Sequence, residues 1–118
     1  MKLVLPPPLR AQIETEAKAA FPRECCGLIE GIVSGDVFEA HALHPARNEA
    51  TAPDRFEIAP QDHLAASRAA RASHHRLIGC YHSHPGGAAE PSPHDVKGAE
   101  EENFLWLIAT PEGALAAF

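Results

Sequence analysis

Two short clusters of histidine, serine and aspartate could form a metal site. The first is His82-Ser83-His84-Pro85, and the second is Ser92-Pro93-His94-Asp95. Histidines at positions i and i+2 of a strand project from one face, so their imidazole nitrogens could converge on an ion about 2 Å away. The loop after His84 is long enough to fold back and deliver the carboxylate of Asp95. Two histidines and one carboxylate are a common catalytic zinc set, which leaves the fourth coordination position for water.

Such a site would do hydrolytic chemistry, although each cluster also has a simpler explanation. Bound zinc lowers the pKa of water to about 7, and a general base then passes the proton to the leaving amine. The histidine pair could equally lie on an exposed strand face without metal. Ser92 and Asp95 are also typical of a helix N-terminus, with Ser92 as the cap, and capping does not exclude catalysis. The other histidines lie in polar or loop contexts and are not expected to be ligands: His41, His44, His63, His74, His75 and His94.

Helical and strand patterns alternate around these clusters. Apolar residues at helical spacing follow Pro6–Pro8 and predict a first helix that ends before Pro22. A second helix is predicted from Pro60 to about Ser73, and a third from Ser92. Strands are predicted over residues 26–33, 37–43, 56–58, 76–83, 104–109 and 114–118. The pattern predicts an α+β or three-layer α/β fold, and we expect one domain over residues 1–118.

Composition excludes several classes of protein. The formal net charge of −6 argues against a nucleic-acid partner, which would need a basic face. No apolar run approaches the roughly 20 residues that span a membrane, and the N-terminal stretch is too short for a signal peptide, so we expect a cytoplasmic protein. Three cysteines, Cys25, Cys26 and Cys80, are not a disulfide framework. We expect buried thiols, with zinc ligation or a redox role as the alternatives.

Taken together, the two clusters resemble a known signature. His-x-His, seven residues, then Ser-x-x-Asp is similar to the JAMM motif of the JAB1/MPN/Mov34 metalloprotease family, and four fixed residues at fixed spacing make it more specific than His-x-His alone. Residues 21–31 and 48–64 also resemble segments of this family, so the likeness covers nearly the whole chain. The resemblance implies the MPN fold, a curved mixed β-sheet flanked by helices. It also implies one Zn²⁺ per chain held by His82, His84 and Asp95, with Glu24 as general acid/base and Ser92 as oxyanion donor.

The resemblance also leads to expectations about the base and the substrate. Glu24 is preferred over Glu30 as the base because it follows Pro22 at a helix-to-strand junction, whereas Glu30 is expected to be an outward-facing strand carboxylate. No long insertions are visible, as in compact bacterial-type members. Such members resemble peptidases or isopeptidases that act at the C-terminal Gly-Gly end of ubiquitin-like sulfur-carrier proteins. The alternatives are a non-catalytic MPN scaffold and a deaminase-type hydrolase, although the Pro-Cys-x-x-Cys signature of zinc deaminases is absent. The sequence does not determine the oligomeric state.

Overall fold

A six-stranded mixed sheet with a helix on each face forms the fold. The computed structural model describes residues 2–52, 55–87 and 104–118. Within them the elements are β1 (Lys2–Val4), α1 (Pro7–Ala20), β2 (Cys26–Ser34), β3 (Val37–Ala46), α2 (Pro60–Ala72), β4 (Arg76–Ser83), β5 (Leu105–Ala109) and β6 (Leu115–Ala117). The predicted α+β class, with helices flanking a mixed sheet, is confirmed.

The sheet places β2 and β4 side by side at its centre. The strand order is β1-β3-β2-β4-β5-β6. β2 runs antiparallel to both β3 and β4, while β1 pairs with β3 and β5 with β4 in parallel. Strand β6 closes the other edge, antiparallel to β5. The start of β2 and the end of β4 therefore lie next to each other, with Cys26 opposite His82.

Two helices cover opposite faces of this sheet. Both begin with proline in their first turn, where the missing N–H has no intrahelical partner to lose. Helix α1 buries Ile13 against a cluster that includes Ile29, Ile78 and Tyr81. Helix α2 buries small residues, Ala66 and Ala70, which let it lie close to the other face of the sheet. Among the described residues, no helix is long and apolar enough to cross a membrane.

The central strand carries an irregularity at Glu30 on both sides. Toward β3, Glu30 lies opposite Ala42 and Gly31 opposite Ala40, so His41 is an extra residue. Toward β4, the register shifts between Ile29 and Glu30. Such bulges bend a strand and redirect its side chains. They bring Glu30 within reach of histidines from two different parts of the chain.

The described fold differs from the sequence predictions at two places. Strand β1 was not predicted, because its three residues form a strand only by pairing in parallel with the distant β3. The strand predicted over residues 56–58 is wrong, since Ile58 makes only an isolated bridge to Asn48. Backbone hydrogen bonds flank this bridge, from Glu49 to Glu57 and from Ala59 to Arg47, and the Asn48 side chain adds others. The third helix predicted from Ser92 lies outside the described residues.

Candidate metal centre

His82 and His84 meet at the carboxyl end of β4. His82 is fully buried between β2 and β5, opposite Cys26 and Ile108, and His84 follows directly after the strand. The His84 N–H donates to the carbonyl of Ala109 at 2.8 Å, which holds the residue against the end of β5. The Nε2 atoms of the two imidazoles lie 3.1 Å apart. The structure thus brings together the two histidines that the sequence predicts as metal ligands.

Aromatic rings fix the plane of the His82 imidazole. Phe56 stacks on it with a centroid distance of 4.3 Å and an interplanar angle of 20°. Trp106 of β5 contacts it edge-on, at 5.7 Å and 84°. Rings packed at these distances restrict rotation about χ2 of the histidine. The orientation of this imidazole is therefore set by packing before any ion binds.

Glu24 completes a group of three ligand-type side chains. One oxygen of its carboxylate and one ring nitrogen of each imidazole all lie within 4.8 Å of one another. Glu24 is buried, with 5% of its surface exposed. It lies between the end of α1 and the start of β2, and the pairing of β2 with β4 carries it to the histidines.

The donor set suits a zinc ion. Imidazole nitrogen and carboxylate oxygen are both zinc ligands at about 2.0–2.2 Å, and tetrahedral geometry at that radius separates two ligand nitrogens by roughly 3.3 Å. The observed separation of 3.1 Å between the two Nε2 atoms is close to that value. Little side-chain movement is therefore needed for both imidazoles to bind one ion.

Two residues of the predicted site lie outside the described residues. These are Asp95, predicted as the third metal ligand, and Ser92, predicted as the oxyanion donor. Their roles stay predictions. Glu24, His82 and His84 are the predicted site residues that the structure brings together.

The cysteines beside this group are buried thiols, as expected from the sequence, and none is in a disulfide among the described residues. Burial is the largest influence on the pKa of both the Cys25 and the Cys26 thiol, and both values are raised. The pKa of the Cys26 thiol rises to about 12. Both thiols are consequently protonated near neutral pH. Neither one belongs to the described group of metal-ligand atoms.

An open cleft of about 550 Å³ lies beside Glu24. Its walls come from the end of α1, the start of β2 and the segment after β3, and it is lined in part by Glu16, Arg23, Cys25 and Asn48. A cleft of this size can hold a short peptide segment. It therefore adjoins Glu24, whereas His82 and His84 are not among its described lining residues.

Sequence reasoning missed a second polar group, centred on Glu30. This residue is not the outward-facing carboxylate that was expected, because only 5% of its surface is exposed. Its Oε1 lies 2.8 Å from Nε2 of His44, and its Oε2 lies 2.6 Å from Nδ1 of His75. His44 also lies in β3 rather than in a loop. No spacing signal joins these three residues, since a carboxylate between two distant histidines depends on strand register alone.

Comparison with known proteins identifies the family. Residues 6–118 match the family of prokaryotic homologues of the JAB domain, and the chain belongs to this family. Desampylase from Haloferax volcanii is 31% identical over 97 residues, which cover 81% of this chain and 68% of that protein. Tail tip assembly protein K from Escherichia phage N15 is 29% identical over 105 residues, which cover 87% of this chain but 39% of that protein. The matched region is thus only part of each relative.

Solved structures confirm the predicted JAB/MPN fold. Protein DSY2949 from Desulfitobacterium hafniense superimposes with a TM-score of 0.85 at 26% identity, covering 98% of this chain and 80% of that one. AF2198, a JAB1/MPN domain protein from Archaeoglobus fulgidus, gives a TM-score of 0.58 at 21% identity, covering 100% and 88% of the two chains. The second likeness concerns the fold alone.

Proposed function

We propose that the protein is a zinc-dependent metallopeptidase or isopeptidase that hydrolyses an amide bond at the C-terminal Gly-Gly end of a ubiquitin-like or sulfur-carrier protein. The observation that carries the proposal is the convergence of the Glu24 carboxylate with the imidazoles of His82 and His84. Membership of the JAB family and the likeness to a protein named desampylase support it. We expect the protein to act in the cytoplasm, where thiols stay reduced.

Each site residue has a proposed role. His82, His84 and Asp95 would hold one zinc ion per chain, which would supply a Lewis acid and lower the pKa of a bound water toward neutrality. Glu24 takes the proton from the attacking water and gives it to the leaving amine. Ser92 donates a hydrogen bond to the oxygen that becomes negative when the amide carbon is attacked. Phe56 and Trp106 keep His82 in the orientation that ligation needs.

Limited access to the site supports the proposed substrate class. Glu24 and His82 are buried and His84 is only partly exposed, which favours a narrow extended tail over the body of a folded protein. A Gly-Gly terminus has no side chains to obstruct its entry, and an extended tail can bind as an added strand. The cleft beside Glu24 provides room for the residues on one side of the scissile bond.

The decisive variant is Glu24→Gln, because its effects on zinc content and on turnover distinguish a general base from a metal ligand. If Glu24 is the base, the variant keeps one zinc per chain and loses about 100-fold or more in turnover. If Glu24 is instead a required ligand, zinc is lost as well. Glu39→Gln, at an exposed position on β3, is the matched control and should change neither quantity. Zinc is measured by elemental analysis after gel filtration.

Turnover is measured on sulfur-carrier proteins that carry a short extension after Gly-Gly, with product masses read by mass spectrometry. The expected product is a carrier that ends in Gly-Gly. A zinc-loaded protein that cleaves none of a broad panel would exclude the proposed activity and favour a scaffold role. Full activity of Glu24→Gln would instead show that the base is wrongly assigned.

A further inference from the structure

The peptide bond between Glu24 and Cys25 is held from both of its sides by side chains. On one side, Nδ2 of Asn48 donates to the carbonyl oxygen of Glu24 at 3.0 Å. On the other, the N–H of Cys25 donates to Oγ of Ser83 at 2.9 Å. Both polar groups of this one peptide plane are therefore bound by side chains rather than by a strand ladder.

Asn48 is itself held firmly. Its Oδ1 accepts from the N–H groups of Ala50 and Glu57, each at 3.0 Å. Its Nδ2 also donates to the carbonyl of Arg55 at 3.0 Å. With the bond to Glu24, this single amide organises the loop between β3 and α2 and joins it to the start of β2. A side chain with so many partners loses little further freedom in binding the Glu24 carbonyl.

Ser83 is held equally well on the other side. It is buried, with 1% of its surface exposed, and it lies between the two histidines in sequence. Its backbone N–H donates to the carbonyl of Cys25 at 3.1 Å. Ser83 thus bonds Cys25 through both its backbone and its hydroxyl, which couples the position of the histidine pair to that of Glu24.

We propose that Asn48 and Ser83 are positioning residues that orient the Glu24 carboxylate toward His82 and His84. Hydrogen bonds to both its C=O and its N–H restrict rotation of this peptide plane, and so restrict the direction in which the Glu24 side chain leaves the backbone. A long glutamate side chain amplifies any backbone rotation, and a displacement of about 1 Å at a reacting group can cost about 100-fold in rate. The catalytic part of this inference rests on the proposed function, whereas the structural part does not.

The first measurement needs no enzymatic activity. Amide hydrogen exchange of Cys25, followed by NMR on the metal-free chain, reports directly on its bond to the Ser83 hydroxyl. Ser83→Ala should speed this exchange about fivefold, as expected for the loss of about 1 kcal/mol of hydrogen bonding. Exchange at Leu28 and Ile29 should not change. Ser34→Ala, at the exposed last residue of β2, is the matched control.

The second measurement tests the effect on catalysis. Ser83→Ala and Asn48→Asp should keep stoichiometric zinc and an unchanged KM, while kcat falls about 10- to 100-fold. Asn48→Asp keeps the oxygen that accepts from Ala50 and Glu57 but loses the donor to Glu24. Ser83→Thr keeps the hydroxyl and should restore most of kcat. In single-turnover assays on the Glu24→Gln background, neither variant should cause a further loss, because both act through Glu24.

The outcomes separate the two proposals. Unchanged Cys25 exchange in Ser83→Ala, or equal losses of kcat on the wild-type and Glu24→Gln backgrounds, would overturn the positioning roles. Absence of turnover by the zinc-loaded wild type would overturn the proposed function, and the exchange rate of Cys25 would still decide whether the peptide is held as described.

Discussion

Replacing Glu30 with glutamine should destabilise the protein more than any comparable change at a surface glutamate. Glu30 accepts hydrogen bonds from His44 and His75 on its two carboxylate oxygens, at 2.8 and 2.6 Å. Burial by itself raises the pKa of this carboxyl, but the hydrogen bonds from His75 and His44 outweigh it and hold the pKa below the ordinary value of 4.5. The carboxylate thus joins β2 to β3 and to the residue just before β4.

The magnitude follows from the two bonds. A hydrogen bond to a charged group contributes about 1.5–3 kcal/mol and a neutral one about 1 kcal/mol. Glutamine leaves one neutral bond and turns an N–H toward the other imidazole, so we expect a loss of about 3 kcal/mol. With an unfolding entropy of about 2.1 cal/mol/K per residue, that loss lowers Tm by about 12 °C.

The loss should depend on pH in a defined direction. Because the pKa of Glu30 is lower in the folded chain, its ionisation stabilises the fold fully above the ordinary value of 4.5. As pH falls below that value the unfolded chain binds the proton first, and the contribution disappears once pH passes the folded pKa. Protonated glutamate resembles glutamine, so the difference between wild type and Glu30→Gln should shrink toward zero in strong acid.

The assay is urea unfolding of the metal-free protein, followed by the fluorescence of Trp106 from pH 7 down to pH 3. Glu39→Gln is the matched control, because Glu39 pairs with His41 at 3.0 Å but is about half exposed. We expect it to lose less than about 1 kcal/mol at every pH. A loss of unfolding free energy below about 1 kcal/mol for Glu30→Gln at pH 7, or a loss that does not shrink in acid, would refute this account of the buried Glu30 carboxylate and its two histidines.

Two further substitutions test packing around the site. An added Cβ at Gly27 would lie 2.3 Å from the Tyr81 hydroxyl oxygen, so Gly27→Ala should cost about 2 kcal/mol in urea unfolding. Gly86→Ala, where no described atom lies within 4 Å of the added carbon, should cost almost nothing, and equal effects of the two would contradict the overpacking. Phe56→Ala removes the ring stacked on His82 and should weaken zinc binding about tenfold in competition with a chelator. Leu64→Ala, at an exposed position on α2, is its control, and unchanged zinc affinity of Phe56→Ala would show that stacking does not orient the imidazole.

Local patterns in the sequence were enough for much of the fold. Most elements have a local signal, either a periodicity of apolar residues or a boundary at proline or glycine. This holds for α1, α2 and strands β2 to β6. The i, i+2 spacing of His82 and His84 at the end of β4 likewise predicts a shared face, since successive residues of extended chain alternate between faces. Residue type and short-range spacing were therefore enough to predict the two histidines as candidate metal ligands.

Cross-strand register decided the rest. Glu24 reaches the histidines only because Cys26 lies opposite His82, and a shift of one residue would turn the side chains to the other face. The same dependence hid the hydrogen bonds of Asn48, which link a loop to the segment before β2, and the burial of Glu30 between two histidines at the bulges in β3 and β4. Such contacts join residues far apart in the chain, so no local pattern in the sequence encodes them. The sequence determined which side chains could do chemistry, and the tertiary structure decided which of them meet.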